Sequence, residues 1–98
     1  THRPAPGAAM SDVQVIWDDP DDEDGNTFHV AEHGLTPEEV DEVLLDETIR
    51  TVASRSSNLP CKFGWTSTGK HIIVVWSEEN DDPRVIRPVT AYEVRPRG

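Results

Sequence analysis

Apolar side chains recur along this chain with two different periods, and each period predicts a different secondary structure. In five segments, branched and aromatic residues alternate with polar ones or form a short apolar run, which is typical of β-strands. The predicted strands cover residues 13–17, 49–54, 61–67, 71–77 and 85–94. Thr68 and Gly69 predict a tight hairpin turn and residues 79–83 a longer polar connection, so we expect this part of the sheet to be antiparallel.

The other period is helical and begins at a strong start signal. Thr36 is a good N-cap residue, Pro37 occupies the first helical position, and Glu39 has the spacing that completes a capping box. Apolar residues then recur at helical spacing, at Val40, Val43 and Leu44. The sequence therefore predicts an amphipathic helix that extends to about residue 45.

A shorter helix is predicted over residues 26–33, with Phe28 and Ala31 facing inward and Gly34 as the left-handed residue that ends it. His29 and His33 lie four residues apart, which is a spacing that presents two imidazoles on one helical face. A zinc site needs a third ligand, and neither Cys61 nor His71 stands at a recognisable ligand spacing. We therefore predict no metal site and no cofactor.

The order of these elements predicts an α+β fold. Two N-terminal helices are expected to pack on one face of a twisted, mostly antiparallel sheet of about five strands. A length of 98 residues allows one hydrophobic core. Residues 1–10 contain two prolines and no apolar period, which indicates a flexible leader of non-native origin before Met10, so we expect a single domain over residues 11–98.

Charge is unevenly divided along the chain, whose formal net charge is −10. Between Ser11 and Ile49 there are many Asp and Glu residues and no Lys or Arg. From residue 50 to residue 77 the pattern reverses, and the charged residues are Arg50, Arg55, Lys62 and Lys70. Such a division gives the molecule a dipolar field, so any anion site is expected in the second half of the chain.

The sequence also restricts where the protein acts. Cys61 has no second cysteine to pair with, and a buried, inert thiol is a simpler interpretation than a nucleophile. The longest apolar run, residues 72–76, suits a buried strand and is too short to span a membrane. With no secretory signal recognisable, we predict a cytoplasmic protein that does not bind membranes.

Several short motifs, taken in order, resemble the BrnT-type toxins, which are RelE-like ribonucleases of type II toxin-antitoxin systems. The motifs are Ile16-Trp17-Asp18, His33-Gly34 at a helix end, the 35–40 segment LTPEEV, Phe63-Gly64-Trp65-Thr66, and the 86–91 segment IRPVTA. The similarity covers about residues 13–93. It implies an RNA-cleaving surface on the sheet and a cognate antitoxin that covers that surface, with no binding to DNA by the chain itself.

The resemblance assigns His33 and Arg87 to family positions, and the charge pattern adds further candidates. Metal-independent RNA cleavage needs a base, an acid and a cation near the phosphate, so the predicted catalytic residues are His33, Arg55, Arg87 and Tyr92. The predicted RNA-binding residues supply positive charge or stacking surfaces, and they are Lys62, Trp65, Lys70 and His71.

Two positions depart from the family pattern and favour a different function. Glu32 stands where the family commonly has a lysine, and Tyr92 stands where it commonly has a second arginine. Arg87 and Tyr92 could also pair internally with the acidic helices, and Arg55 could be a solvated loop residue. The alternative hypothesis is a non-catalytic interaction module whose acidic helices bind a basic protein partner.

Overall fold

The computed structural model describes residues 13–55 and 57–95, so the predicted leader lies outside the described residues. Two α-helices and five β-strands follow one another in the order that the sequence predicts: one strand, two helices and four strands. The strands are β1 (Gln14–Val15), β2 (Val52–Ala53), β3 (Pro60–Trp65), β4 (His71–Asp81) and β5 (Arg84–Glu93). The helices are α1 (Asn26–Glu32) and α2 (Pro37–Leu44), and both lie between β1 and β2 in the chain.

The five strands form one sheet in the order β1-β5-β4-β3-β2. β2, β3, β4 and β5 pair antiparallel with their neighbours, whereas β1 pairs parallel with β5 through Gln14 and Val15. The α+β class and the mostly antiparallel sheet are therefore confirmed. The two helices carry the chain from β1 at one edge of the sheet to β2 at the other edge, and β2 to β5 then run back antiparallel until β5 lies parallel to β1.

Strand limits differ from the predicted ones at the connection after β4. β4 continues to Asp81 and β5 begins at Arg84. Residues 79–81, predicted as part of a long connection, therefore belong to β4, and only residues 82 and 83 lie between the two strands. Register shifts between Glu78 and Asn80 accompany this extension. Hydrogen-bonded pairing with β5 thus extends the strand through polar residues that have weak strand propensity.

Both helix signals are confirmed in detail. The Thr36 hydroxyl accepts a hydrogen bond from the Glu39 backbone N–H at 3.2 Å, and the Glu39 carboxylate accepts one from the Thr36 N–H at 3.1 Å. Gly34 has a φ of +79°, the left-handed conformation predicted for the residue that ends α1. The prediction that Ala31 faces inward is wrong: Ala31 is exposed, and Val30 is the buried residue of that turn.

The main hydrophobic core lies between the helices and one face of the sheet. It contains Val30, Leu35, Val40, Val43 and Leu44 from the helical region and Ile72, Val74, Trp76, Ile86 and Ala91 from the sheet. Gly64 allows α2 to approach β3 closely, because a Cβ atom at this position would come within 2.6 Å of an Ile49 methyl group and 3.1 Å of a Val43 methyl group. The opposite face of the sheet is left uncovered by both helices.

Candidate functional site

The uncovered side of the sheet carries three of the eight predicted site residues, Trp65, His71 and Tyr92. Successive side chains of a strand point to opposite faces, and directly paired residues share a face. Since Ile72, Val74 and Ala91 belong to the core under the helices, their strand neighbours lie on the other side. We call the part of this second surface formed by β3 and the paired halves of β4 and β5 the helix-free face, and it consists of Cys61, Phe63, Trp65, His71, Ile73, Val75, Thr90 and Tyr92. Beyond the bulge in β4, the same side of the sheet continues with Ser77, its partner Arg87, and Glu79, which accepts a hydrogen bond from the Ser77 hydroxyl.

The helix-free face exposes large aromatic side chains. Trp65 is 58% exposed, Phe63 45% and Tyr92 39%. Between them, Cys61, Ile73 and Val75 form a small second cluster of buried apolar residues. None of the eight residues of the face is acidic, although the chain as a whole has a formal net charge of −10.

A groove of about 450 Å³ crosses this face from β2 to β5. Cys61 and Ile73 lie along its middle, Tyr92 of β5 lines one end, and Arg55, in the segment that follows β2, lines the other. Burial raises the pKa of the Cys61 thiol, which agrees with an inert thiol and not with a nucleophile. The groove therefore joins one guanidinium, one phenol and an apolar floor.

Arg87 is held by a carboxylate at the edge of the sheet. Its guanidinium makes two hydrogen bonds to Asp18, with N–O distances of 3.0 and 2.5 Å. Asp18 also accepts a hydrogen bond from the Asn26 backbone N–H, and Gly25 leaves room for it because a Cβ atom there would come within 2.6 Å of the Asp18 Cβ. The Arg87 guanidinium lowers the pKa of the Asp18 carboxyl, and that carboxylate raises the pKa of Arg87.

His33 and Tyr92 are close neighbours, although they come from different elements. Their ring centroids are 5.8 Å apart, with the rings tilted by 54°. His33 and Arg87 both line a second groove of about 410 Å³ between α1 and β5, together with His29 and Asn26. The four residues predicted as catalytic therefore line two different grooves: Arg55 and Tyr92 line the groove on the helix-free face, and His33 and Arg87 line the second one.

Two of the residues predicted to bind RNA lie on the helix side instead. Lys62 is only 7% exposed, and its ammonium donates hydrogen bonds of 2.9 Å to the backbone carbonyls of Leu44 and Asp46. Burial lowers its pKa. Lys62 follows Cys61 in β3, so it points to the opposite face from Cys61 and closes the end of α2. Its predicted role in binding RNA is therefore wrong for this structure.

Lys70 also contacts the helices. Its ammonium donates to the Gly34 carbonyl at 2.8 Å and lies 3.1 Å from the Glu39 carboxylate. Glu39 further accepts a hydrogen bond from the Thr68 hydroxyl, which is the largest cause of its lowered pKa. Lys70 thus ties the β3–β4 turn to α2 and does not belong to the helix-free face.

Trp65 and His71 form a pair at one end of the helix-free face. They are directly opposite in the β3–β4 register, and their ring centroids are 4.8 Å apart. The His71 Nδ1 atom is buried and has no hydrogen-bond partner among the described residues. The pair combines a largely exposed indole with an imidazole, so the structure brings these two predicted residues together.

The sequence interpretation missed Phe63 and Asp18 as parts of the site. The signal for Phe63 was present, because alternation along β3 gives Phe63 the same face as Trp65. Asp18 was noted only as part of a family motif. Its pairing with Arg87 joins residues 69 positions apart, and no local pattern indicates such a contact.

Among residues 13–55 and 57–95, no group of three or more His, Cys, Asp or Glu side chains is arranged to hold a metal ion. No helix in that same part of the chain is long and apolar enough to cross a membrane.

Comparisons of the chain with family models, with curated proteins and with solved structures give no significant match. The resemblance to the BrnT-type toxins therefore depends on the sequence motifs alone.

Proposed function

We propose that this protein is a RelE-like toxin of BrnT type that cleaves RNA on the helix-free face of its sheet, in the cytoplasm, and is neutralised by an antitoxin covering that face. One observation carries the proposal. In a strongly acidic chain, the helix-free face has no acidic residue and combines exposed aromatic rings with His71 and with Arg55 in the adjoining groove. Stacking surfaces with local positive charge are what unpaired RNA requires.

The proposed reaction is attack of a ribose 2′-hydroxyl on the neighbouring phosphate, which breaks the bond to the 5′-oxygen of the next nucleotide. The products are a 2′,3′-cyclic phosphate and a free 5′-hydroxyl. His33 and Tyr92 are the candidates that take the 2′-proton and return a proton to the leaving oxygen, because their rings are neighbours. Arg55 is the candidate cation that stabilises the charge on the phosphorane.

The Arg87 guanidinium is already hydrogen-bonded to the Asp18 carboxylate, so Arg87 contributes to cleavage only if it exchanges that carboxylate for an RNA phosphate. An RNA phosphate would have to compete with that carboxylate. Substituting each partner in turn separates a role in cleavage from a role in folding. Arg87→Ala and Asp18→Asn both weaken the same ion pair, but only the first removes the cation.

The test is induced expression of the chain in a bacterial host, followed by measurement of growth and transcript integrity. We expect the wild-type chain to arrest growth and fragment transcripts, Arg87→Ala to lower the cleavage rate at least tenfold, and Asp18→Asn to retain activity. Circular dichroism checks that both variants fold. Normal growth with intact transcripts in cells that express the wild-type chain would contradict the proposal. An equal loss of cleavage in Arg87→Ala and Asp18→Asn would show that Arg87 has a structural role only.

A second candidate function is the interaction module that binds a basic partner. Arg87, Lys62 and Lys70 all contact acidic side chains or backbone carbonyls within the fold. These contacts favour the interaction module, because they leave fewer positive charges available to bind RNA. Titration with an arginine-rich peptide would test it by calorimetry. Binding that disappears when the exposed acids Asp21, Glu23 and Glu38 are changed to Asn or Gln, in a chain that cleaves no RNA, would support this alternative.

A further inference from the structure

We propose that the groove on the helix-free face is a subsite for one unpaired nucleobase, stacked between Phe63 and Tyr92 above Ile73, with Arg55 holding an adjoining phosphate. The inference rests on the proposed function, because it takes the ligand of the face to be RNA. It adds a binding residue, Phe63, and a ligand class, an unstacked base in a single strand, to the candidate site.

The sheet register sets the shape of this subsite. Phe63 pairs with Ile73 across β3 and β4, and Ile73 pairs with Tyr92 across β4 and β5, so the three side chains form one row across the helix-free face. All three line the groove. Ile73 is 8% exposed, whereas both aromatic side chains are more than a third exposed. The row therefore has a low aliphatic centre between two higher aromatic sides.

The separation of these sides suits a planar ring. Phe63 and Tyr92 lie two strand spacings apart, which is about 9.6 Å between their backbones. A flat base in contact with a ring on each side needs about 7 Å between those rings, since carbon atoms pack at about 3.5 Å. Each ring has to lean inward by little more than 1 Å. A groove of about 450 Å³ is large enough for a base and part of its ribose.

Charge favours a nucleotide over an uncharged aromatic ligand. Arg55 lines the same groove from the segment that follows β2, and no acidic residue lines it. A guanidinium beside a stacking site matches the phosphate that every nucleotide carries next to its base. Paired RNA is excluded from such a site, because its bases are stacked inside the duplex and their faces are not accessible.

The experiment measures binding of the full chain to a fluorescein-labelled, 2′-O-methylated RNA strand by fluorescence anisotropy. Methylation removes the attacking 2′-hydroxyl, so binding is measured whether or not the protein cleaves RNA. The decisive variant is Phe63→Leu, which keeps an apolar side chain but removes the aromatic face. Phe63→Tyr keeps the aromatic face, and Leu45→Ala is the matched control because Leu45 is an exposed apolar residue at the end of α2, outside the groove.

We expect Phe63→Leu to weaken binding about tenfold, because losing the stacking of one base on an aromatic ring costs about 1 to 3 kcal/mol. Phe63→Tyr and Leu45→Ala should bind like the wild type. The labelled duplex of the same sequence should bind at least tenfold more weakly than the single strand. Equal affinities of wild type and Phe63→Leu, or of single strand and duplex, would overturn the inference.

Failure of the inference and failure of the proposed function give different results. Binding of the methylated strand that depends on Phe63, without cleavage of unmodified RNA, would support the subsite and contradict the ribonuclease. Cleavage that is unaffected by Phe63→Leu would support the ribonuclease and overturn the subsite. If neither the single strand nor the duplex binds, and wild type and Phe63→Leu bind a basic protein partner with equal affinity, the groove is not a base-binding site.

Discussion

Lys62 shows how a single residue can be misassigned by charge alone. A lysine in a strand is normally exposed, and the charge pattern grouped it with the other cations of the second half of the chain. In the structure it supplies the donors that the last carbonyls of α2 and the following turn need, at Leu44 and Asp46. Alternation along β3 did predict its face, because it shares that face with Gly64 and not with Phe63.

Lys62→Met should therefore destabilise the fold without affecting RNA binding by the folded protein. Two carbonyls lose their donor, and we expect the free energy of unfolding to fall by about 1 to 3 kcal/mol. Thermal denaturation followed by circular dichroism gives this change, and anisotropy below the transition gives the affinity. Arg50→Met is the control, because Arg50 is exposed and its loss should change stability by less than about 0.5 kcal/mol. A stable Lys62→Met protein with much weaker RNA binding would restore Lys62 to the site.

At the scale of secondary structure, the sequence predicted the helices better than the contacts between elements. The capping box of Thr36 and Glu39 follows from local chemistry and is present. The strands also exist where alternation predicts them, but with different limits. Nothing local indicates that the same Glu39 accepts from Thr68 and pairs with Lys70, because these contacts join segments about 30 residues apart and depend on how α2 packs on the sheet.

Glu39 is therefore expected to stabilise both the start of α2 and its attachment to the β3–β4 turn. Glu39→Gln keeps the side-chain length and one acceptor oxygen but removes the charge. We expect a loss of about 1 kcal/mol near neutral pH, which is roughly the difference between hydrogen bonds to a charged and to a neutral acceptor. Chemical denaturation at a series of pH values measures it.

The pH dependence of that loss has a definite sign. Hydrogen bonding from Thr68 lowers the Glu39 pKa in the folded state, so its contribution is complete above the ordinary glutamate pKa of about 4.3 and is lost as pH falls through the lower folded value. The difference between wild type and Glu39→Gln should thus shrink below about pH 4. A difference that stays constant down to pH 2 would show that the charge of Glu39 has no part in the effect.

Across the whole molecule, charge is separated by the sheet. The helix side contains α2 with its four acids, Glu38, Glu39, Asp41 and Glu42, and it also takes up the ammonium groups of Lys62 and Lys70. The opposite side has the aromatic surface and the groove lined by Arg55. The dipole that the sequence predicted along the chain is therefore present in part, but fewer cations reach the helix-free face than their number in the sequence indicated.

This separation predicts opposite effects of salt on stability and on RNA binding. Salt screens repulsion among the acids of a chain with a net charge of −10, so the melting temperature should rise between 50 and 300 mM NaCl. RNA binding should weaken, but only slightly, because Arg55 and Arg87 are the two cations that line the grooves of the site. With about 0.7 counterions released per phosphate contact on a single strand, two contacts give a slope of log affinity against log salt of about −1.4. Arg55→Gln should reduce that slope by about half. A slope steeper than about −3 would mean that more cations contact the RNA than the helix-free face and its grooves provide, and the assignment of the binding surface would then be wrong.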